Sequence, residues 1–293
     1  MNIEVPIINA FVDGQRGGYP AGVVLDAERY TTAQKQQIAA AVGLSETAFV
    51  SPSREADFKL EFFTPHRQIA HCGHATVATF SYLRQIGVLD RSESSKETID
   101  GCRSIHLDGD NAYMEQLAPS YQRLTSVQRT ALLASLRLDE KDLLSGAEPR
   151  VVNTGNGFMI VGVKDAQTLI ALRADLEAVN TLSEQLDLIG FYLFSPETQA
   201  AGRQAGTRMF APRYGINEEA ATGMAAGPLA CYLHDLLGQK RLQIEIEQGH
   251  LMPTPSPSLI DVRLQQDSKG RVKGLMAGGR ADVREVRQIS VAI

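Results

Sequence analysis

The sequence predicts an α/β protein built from two similar halves, each wrapping mixed strands around one buried helix. Three observations predict it. First, residues 62–87 read as strand, turn and helix. Ala75, Val77, Ala78, Phe80, Leu83 and Ile86 cover most of the way round that helix, so it belongs inside rather than on a surface. Second, Cys72-Gly-His-Ala-Thr-Val-Ala-Thr-Phe-Ser-Tyr-Leu is answered without a gap by Thr222-Gly-Met-Ala-Ala-Gly-Pro-Leu-Ala-Cys-Tyr-Leu. Gly73 falls on Gly223, Ala75 on Ala225, Tyr82 on Tyr232 and Leu83 on Leu233. Third, the elements around these helices repeat in the same order, which turns a local match into a duplication.

Taken in order, residues 3–11 alternate loosely as a strand, 13–20 form a glycine-rich loop, and 21–25 a second strand. Thr31 and Gln34 are spaced as a capping box that opens a helix, and Gly43 closes it. Residues 44–51 read as a strand carrying Ser45-Glu46-Thr47. Residues 58–64 feed the central helix, which begins near Gly73, and Gly87 stands where a left-handed cap belongs. Residues 105–107 and 112–117 make a hairpin across Asp108-Gly-Asp-Asn. Residues 119–126 form a crossover, and 127–138 an amphipathic helix. Then the order restarts. A strand at 150–153, the turn Thr154-Gly-Asn-Gly and a strand at 158–163 match the opening strands and their Gly17-Gly-Tyr-Pro turn. Helical material at 166–176 and 181–186 and a strand at 189–195 follow. Residues 206–210 lead into the second buried helix, which ends at Gly238. Strands at 242–248, 259–264 and 283–292 close the chain, with a rigid Pro/Ser loop at 252–258. The expected halves are residues 1–117, with a closing strand at about 281–293, and residues 118–280. If they face each other, Gly73 and Gly223 meet across a cleft that holds the active site.

At 293 residues the chain is long enough for two real cores. A formal charge of −5 and no dense Lys/Arg stripe argue against a nucleic-acid partner. No apolar run approaches membrane-spanning length, and the first residues lack the pattern of a secretion signal. Cys72, Cys102 and Cys231 are odd in number and irregular in spacing, which suits a reducing cytoplasm rather than a disulfide framework.

Glu46 is the best single candidate for an acid/base. A lone carboxylate between Leu44 and Ala48-Phe49-Val50 is costly unless partnered or solvated in a cleft, and a group so placed suits taking and returning a proton. The plain alternative is a strand-end charge facing water. The helix mouth at Cys72, Gly73 and His74 offers free backbone amides and a positive dipole end, a seat for a substrate carboxylate. His66, His71, Cys72 and His74 crowd one turn, yet their spacing fits no common paired-ligand pattern, so no metal is expected. Cys72 reads as a small buried residue. Asn217-Glu218-Glu219 precedes the second helix, where acids complement its dipole or one of them faces the substrate.

Ser45-Glu46-Thr47-Ala48-Phe49, Phe63-Thr64-Pro65, Cys72-Gly73-His74-Ala75-Thr76 and Gly215-Ile216-x-Glu218-x-x-x-Thr222-Gly223 together resemble the PhzF-like proteins, relatives of a phenazine-biosynthesis isomerase. The resemblance runs in order over essentially the whole chain. It implies the diaminopimelate epimerase fold, two pseudo-symmetric halves that are each a β-roll around a central helix. It implies Glu46 as the catalytic glutamate. It places Gly73 and His74 at the substrate site and matches Glu219, Thr222 and Gly223 at the second helix, which are read as substrate-binding too; Cys72, Met224 and Tyr19 are further candidates. It also implies catalysis without cofactor or metal, a small carboxylate-bearing substrate, and a homodimer. This chain departs from the family at several points. Met224 stands where a small polar residue is usual, Glu219 replaces an aspartate and Ala220 a proline. Tyr19 replaces an asparagine, Gln68 a glutamate, and 253–257 a Gly-Arg-Pro-Ser segment.

The leading reading is therefore a cofactor-free isomerase in which Glu46 removes a proton from one carbon and returns it to another. One alternative is a two-cysteine epimerase or racemase, disfavoured because Cys72 is answered by Thr222 rather than by a second thiol. Another is a catalytically inactive member of the fold that binds a metabolite.

Overall fold

A computed structural model describes residues 2–291 of the chain. The chain divides into two compact units, one running up to Glu115 and resuming at Gly278, the other Gln116–Ala277.

The first unit begins with β1 (Asn2–Ala10), β2 (Tyr19–Val24) and α1 (Thr32–Val42). It continues with β3 (Thr47–Pro52), β4 (Phe58–Phe63), the short β5 (Gln68–Ile69) and α2 (Gly73–Gln85). Three strands follow, β6 (Glu93–Thr98), β7 (Gly101–Asp108) and β8 (Asn111–Leu117), the last two residues of β8 belonging to the second unit. The box predicted for α1 is present: the Thr31 hydroxyl accepts from Gln34 N, and the Gln34 side chain accepts from Thr31 N. Gly43 ends that helix at φ 70°, a conformation open to glycine at little cost. Helix α2 is buried from Gly73 to Ser81 and again at Leu83, and packs on β1, β2, β3 and β7. Helix α1 joins a second layer, where Ile38, Ala39 and Val42 meet Val5, Ile7, Phe49 and Phe63.

The second unit holds β9 (Ser120–Arg123), α3 (Ser126–Leu136), β10 (Arg150–Asn153) and β11 (Gly157–Gly162). Helices α4 (Ala166–Ala171) and α5 (Leu176–Gln185) lead to β12 (Gly190–Ser195), β13 (Ala205–Ala211) and β14 (Ile216–Glu219). Its central helix is α6 (Gly223–Asp235), followed by β15 (Gln243–Gln248) and β16 (Ser258–Gln266). The last strand, β17 (Val272–Ser290), starts in this unit and ends in the first, where Asn2 pairs with Ser290 and Ala10 with Ala281.

The duplication is visible in the pairing. In the first unit β1–β2 is antiparallel, β2–β3 parallel, β3–β4 and β4–β5 antiparallel, β4–β6 parallel, and β6–β7 antiparallel. In the second unit β10–β11, β11–β12, β12–β13, β13–β14, β13–β15 and β15–β16 repeat those senses in that order. Each parallel pair is bridged by helix, as a parallel crossover requires. Strands such as β12 and β13 are buried at every position, as expected of strands covered on both faces.

Some boundaries differ from the sequence expectation. Ile86 is 43% exposed, because α2 ends at Gln85 and the chain turns out through Gly87. β3 starts at Thr47, which leaves Glu46 just ahead of the strand. β5, β6, β9 and β14 were not expected. β17 begins eleven residues before the predicted 283 (283 − 272), and the predicted strand's last residue, Ala292, lies outside the described residues.

Candidate active site

In the first unit the mouth of α2 gathers five of the predicted residues. The extended N-cap residue Cys72 makes no side-chain cap, so the first-turn amides at Gly73, His74 and Ala75 have no partner inside the helix. His74 is 5% exposed. Its Nε2 lies 3.4 Å from Glu46 Oε2, and its Nδ1 lies 3.5 Å from Cys72 Sγ. One imidazole thus stands between a carboxylate and a thiol. Glu46 Oε2 and His74 Nε2 are both buried, and neither makes a hydrogen bond among the described residues. Buried polar atoms left in that state are uncommon. Burial holds the His74 pKa below the ordinary imidazole value, although the Glu46 carboxylate and the Pro20 carbonyl pull the other way. His74 is therefore a neutral hydrogen-bonding group at neutral pH.

Local structure explains how these side chains arrive. Gly22 N donates to Glu46 O at 3.2 Å, which ties the loop before β3 to the β2 strand. Tyr19 opens β2, and its ring packs on His74 with centroids 4.3 Å apart. The turn that delivers Tyr19 is held by Asn9 Nδ2, which donates to Gly17 O at 2.6 Å. Gly18 is at φ 81°, and a Cβ there would come within 2.7 Å of the Ala10 carbonyl oxygen. The donor atoms of Glu46, Cys72 and His74 lie within 4.8 Å of one another, a spread that a divalent ion could bridge. Spacing along the sequence argued against a metal, but Glu46 comes from a different element and completes a set that the local pattern does not contain.

In the second unit the mouth of α6 carries the other predicted residues in a closed network. The Thr222 hydroxyl donates to Glu219 Oε2, and both residues are buried. Gln248 makes four hydrogen bonds. Its Oε1 accepts from Thr222 N at 3.0 Å and from Tyr192 OH at 2.9 Å. Its Nε2 donates to Glu219 O at 2.7 Å and to Thr222 Oγ1 at 2.9 Å. Burial pushes the Tyr192 phenol well above its usual pKa, so it stays a neutral donor. Gly223 O accepts from Gln116 Nε2 at 3.0 Å, and Met224 Sδ lies 3.7 Å from Asn156 Nδ2. Glu218, one of the two acids expected to serve the helix dipole or the substrate, instead makes a bidentate pair with Arg208 at 2.7 and 2.8 Å. None of the three cysteines is in a disulfide, and burial pushes the Cys231 thiol up, so among the described residues Cys231 does not answer Cys72 as a thiolate.

Gln248, Tyr192, Thr76 and Lys96 were not anticipated. Gln248 stands in the strand Glu245-Ile-Glu-Gln, where alternation alone shows which residues face inward but not what they meet.

A duplicated α/β roll of this kind is the epimerase-like fold. A hydroxyproline epimerase from Agrobacterium vitis shares the fold at TM-score 0.58 and 12% identity, over 98% of this chain and 92% of that one. The chain belongs to the phenazine biosynthesis-like protein family, whose model matches residues 8–284. It is 32% identical over 261 residues to the "Uncharacterized isomerase YddE" of Salmonella typhimurium, covering 86% of this chain and 87% of that protein. It is 31% identical over 277 residues to the trans-2,3-dihydro-3-hydroxyanthranilate isomerase of Pseudomonas chlororaphis, covering 91% and 93%. A Bacillus anthracis phenazine biosynthesis protein of the PhzF family superposes at TM-score 0.89 with 25% identity, over 99% of this chain and all of that one. The protein is an isomerase of this family.

Proposed function

We propose that this isomerase moves a proton between two carbons of a small carboxylate-bearing substrate, with Glu46 as the general acid/base. The observation that carries this reading is the buried, unsatisfied pair of Glu46 Oε2 and His74 Nε2 at the mouth of α2. The Glu46 carboxylate takes a proton from a carbon next to an electron-withdrawing group, and the C–H electron pair passes into the conjugated system. The same carboxyl then returns the proton to the second carbon as the double bond shifts. No electron leaves or enters, so the balance requires no redox cofactor. Neutral His74 and the first-turn amides of α2 hold the carboxylate and the charge that develops on it. Glu219, Thr222 and Gly223 are the substrate-contact candidates of the second unit. The substrates of the named relatives make cyclic amino acids of the dihydroanthranilate type the first compounds to try.

The test is solvent-deuterium incorporation into such compounds, wild type against Glu46→Gln. Incorporation that is lost in Glu46→Gln while binding persists supports the reading. Undiminished incorporation in the variant removes Glu46 from the mechanism.

A further inference from the structure

The first unit buries two lysines and treats them differently. Lys35 of α1 is paired with Glu61. Lys96 of β6 is fully buried and has no carboxylate within ion-pair distance among the described residues. Its Nζ donates to Thr76 Oγ1 at 2.6 Å, and Thr76 Oγ1 donates to Cys72 O at 2.7 Å. Nζ also lies 3.5 Å from His71 Nδ1, 3.8 Å from Met114 Sδ and 5.3 Å from the centre of the Phe62 ring. An ammonium group is expensive to bury without a counter-charge, and hydroxyl, thioether and ring compensate only in part. Its hydrogen-bonded path ends on the carbonyl of the residue that caps α2, directly behind the amides of Gly73 and His74.

We infer that Lys96 is a positioning residue for an anionic substrate: its ammonium stands behind the first turn of α2, where the substrate's carboxylate supplies the counter-charge it lacks. This rests on the carboxylate-bearing substrate proposed above. A unit charge about 10 Å away at an effective dielectric near 20 changes affinity roughly tenfold. Burial brings the Lys96 pKa down to about 7, Arg103 of β7 pushes the same way, and Cys72 and Asp100 oppose it. His71, which faces it from the turn before α2, is itself held neutral, its pKa pushed down to about 3 by burial and by Lys96 and Arg103. Phe62 of β4 and Met114 of β8 bring no charge. An arriving carboxylate favours the protonated ammonium, so binding above pH 7 takes up a proton.

The experiment is calorimetric titration of the full chain with 2-aminobenzoate, 3-hydroxy-2-aminobenzoate and benzoate, each beside its carboxamide, from pH 6.5 to 9. Wild type, Lys96→Met and Lys96→Arg are compared. The expected result is a carboxylate preference in wild type that declines as pH rises. Lys96→Met should lose about tenfold on the carboxylate while the carboxamide stays within about twofold, and Lys96→Arg should restore the preference. Equal carboxylate affinity in Lys96→Met and wild type, or equal loss of carboxylate and carboxamide, overturns the inference. Should Lys96→Met not fold, the wild-type profile decides, since a carboxylate preference unchanged from pH 6.5 to 9 also overturns it. Wild type that binds none of the carboxylates overturns the carboxylate reading itself, and the inference with it.

Discussion

At the mouth of α2, Glu46 and His74 face each other at 3.4 Å with polar atoms that make no hydrogen bond among the described residues, whereas at the mouth of α6 Gln248 alone makes four. The two sites descend from one repeated pattern, since Cys72-Gly73 and Thr222-Gly223 occupy equivalent places in it. One copy keeps an acid, an imidazole and a thiol, with a buried cation behind them. The other has spent its polar groups on one another. Groups that must exchange protons need unsatisfied capacity, and groups that must hold a shape need the reverse. Under the function proposed above, the first unit carries the chemistry and the second presents a fixed set of substrate-contact candidates.

The sharpest way to break this assignment is to remove the acid from each copy. Glu46→Gln should lower turnover by about 10³-fold, the range of positioned acid/base catalysis, while thermal stability holds. Glu219→Gln should cost far less in turnover. Equal losses measured by steady-state kinetics would abolish the distinction.

Acid should find the first mouth before the second. His71 has a folded pKa of about 3 against an ordinary 6.5, and His74 is also lowered. Between those values the unfolded chain binds more protons than the folded one. The contribution is therefore complete above pH 6.5 and lost as pH falls toward 3, with about 3 kcal/mol of it gone by pH 4. Denaturant melts from pH 7 to 4 should show it, and His71→Phe should flatten the slope.

The closed network predicts a structural rather than a chemical penalty. Gln248→Ala leaves Thr222 N, Tyr192 OH and the Glu219 carbonyl buried without that partner, for a loss of about 2–3 kcal/mol seen as a lower Tm. Thr222→Val removes one hydroxyl and should cost about 1 kcal/mol, with the proton-transfer rate nearly unchanged. A collapse of rate in Thr222→Val would put chemistry in the second copy.

Much of this arrangement was legible in the sequence. The capping box at Thr31 and Gln34, the apolar circumference of α2 and the hairpin across Asp108–Asn111 all depend on neighbours in the chain, and the structure contains each. β6 was not legible, because Glu-Ser-Ser-Lys-Glu-Thr has no apolar residue to mark an inward face. Its buried positions are Ser94, Lys96 and Thr98, and only tertiary partners such as Thr76 and Asp57 make them tolerable. Glu218 and Glu219 are adjacent acids with the same expected role. Arg208, ten residues upstream on β13, takes one of them, and no spacing rule says which. Glu46 was legible as an oddity, but its meeting with His74 depends on two strands and a helix start coming together.

The pairing of β1 with β17 has a consequence for synthesis. Asn2 lies beside Ser290, and Ile3 beside Ile289, so the first strand made is completed by the last. Residues 116–277 are continuous in the chain, whereas one edge of β1 stays open until residues 281–290 are made. The domain that starts first therefore closes last. A released chain cut back to residues 1–277 should resist protease within residues 116–277 and be cut within the first hundred.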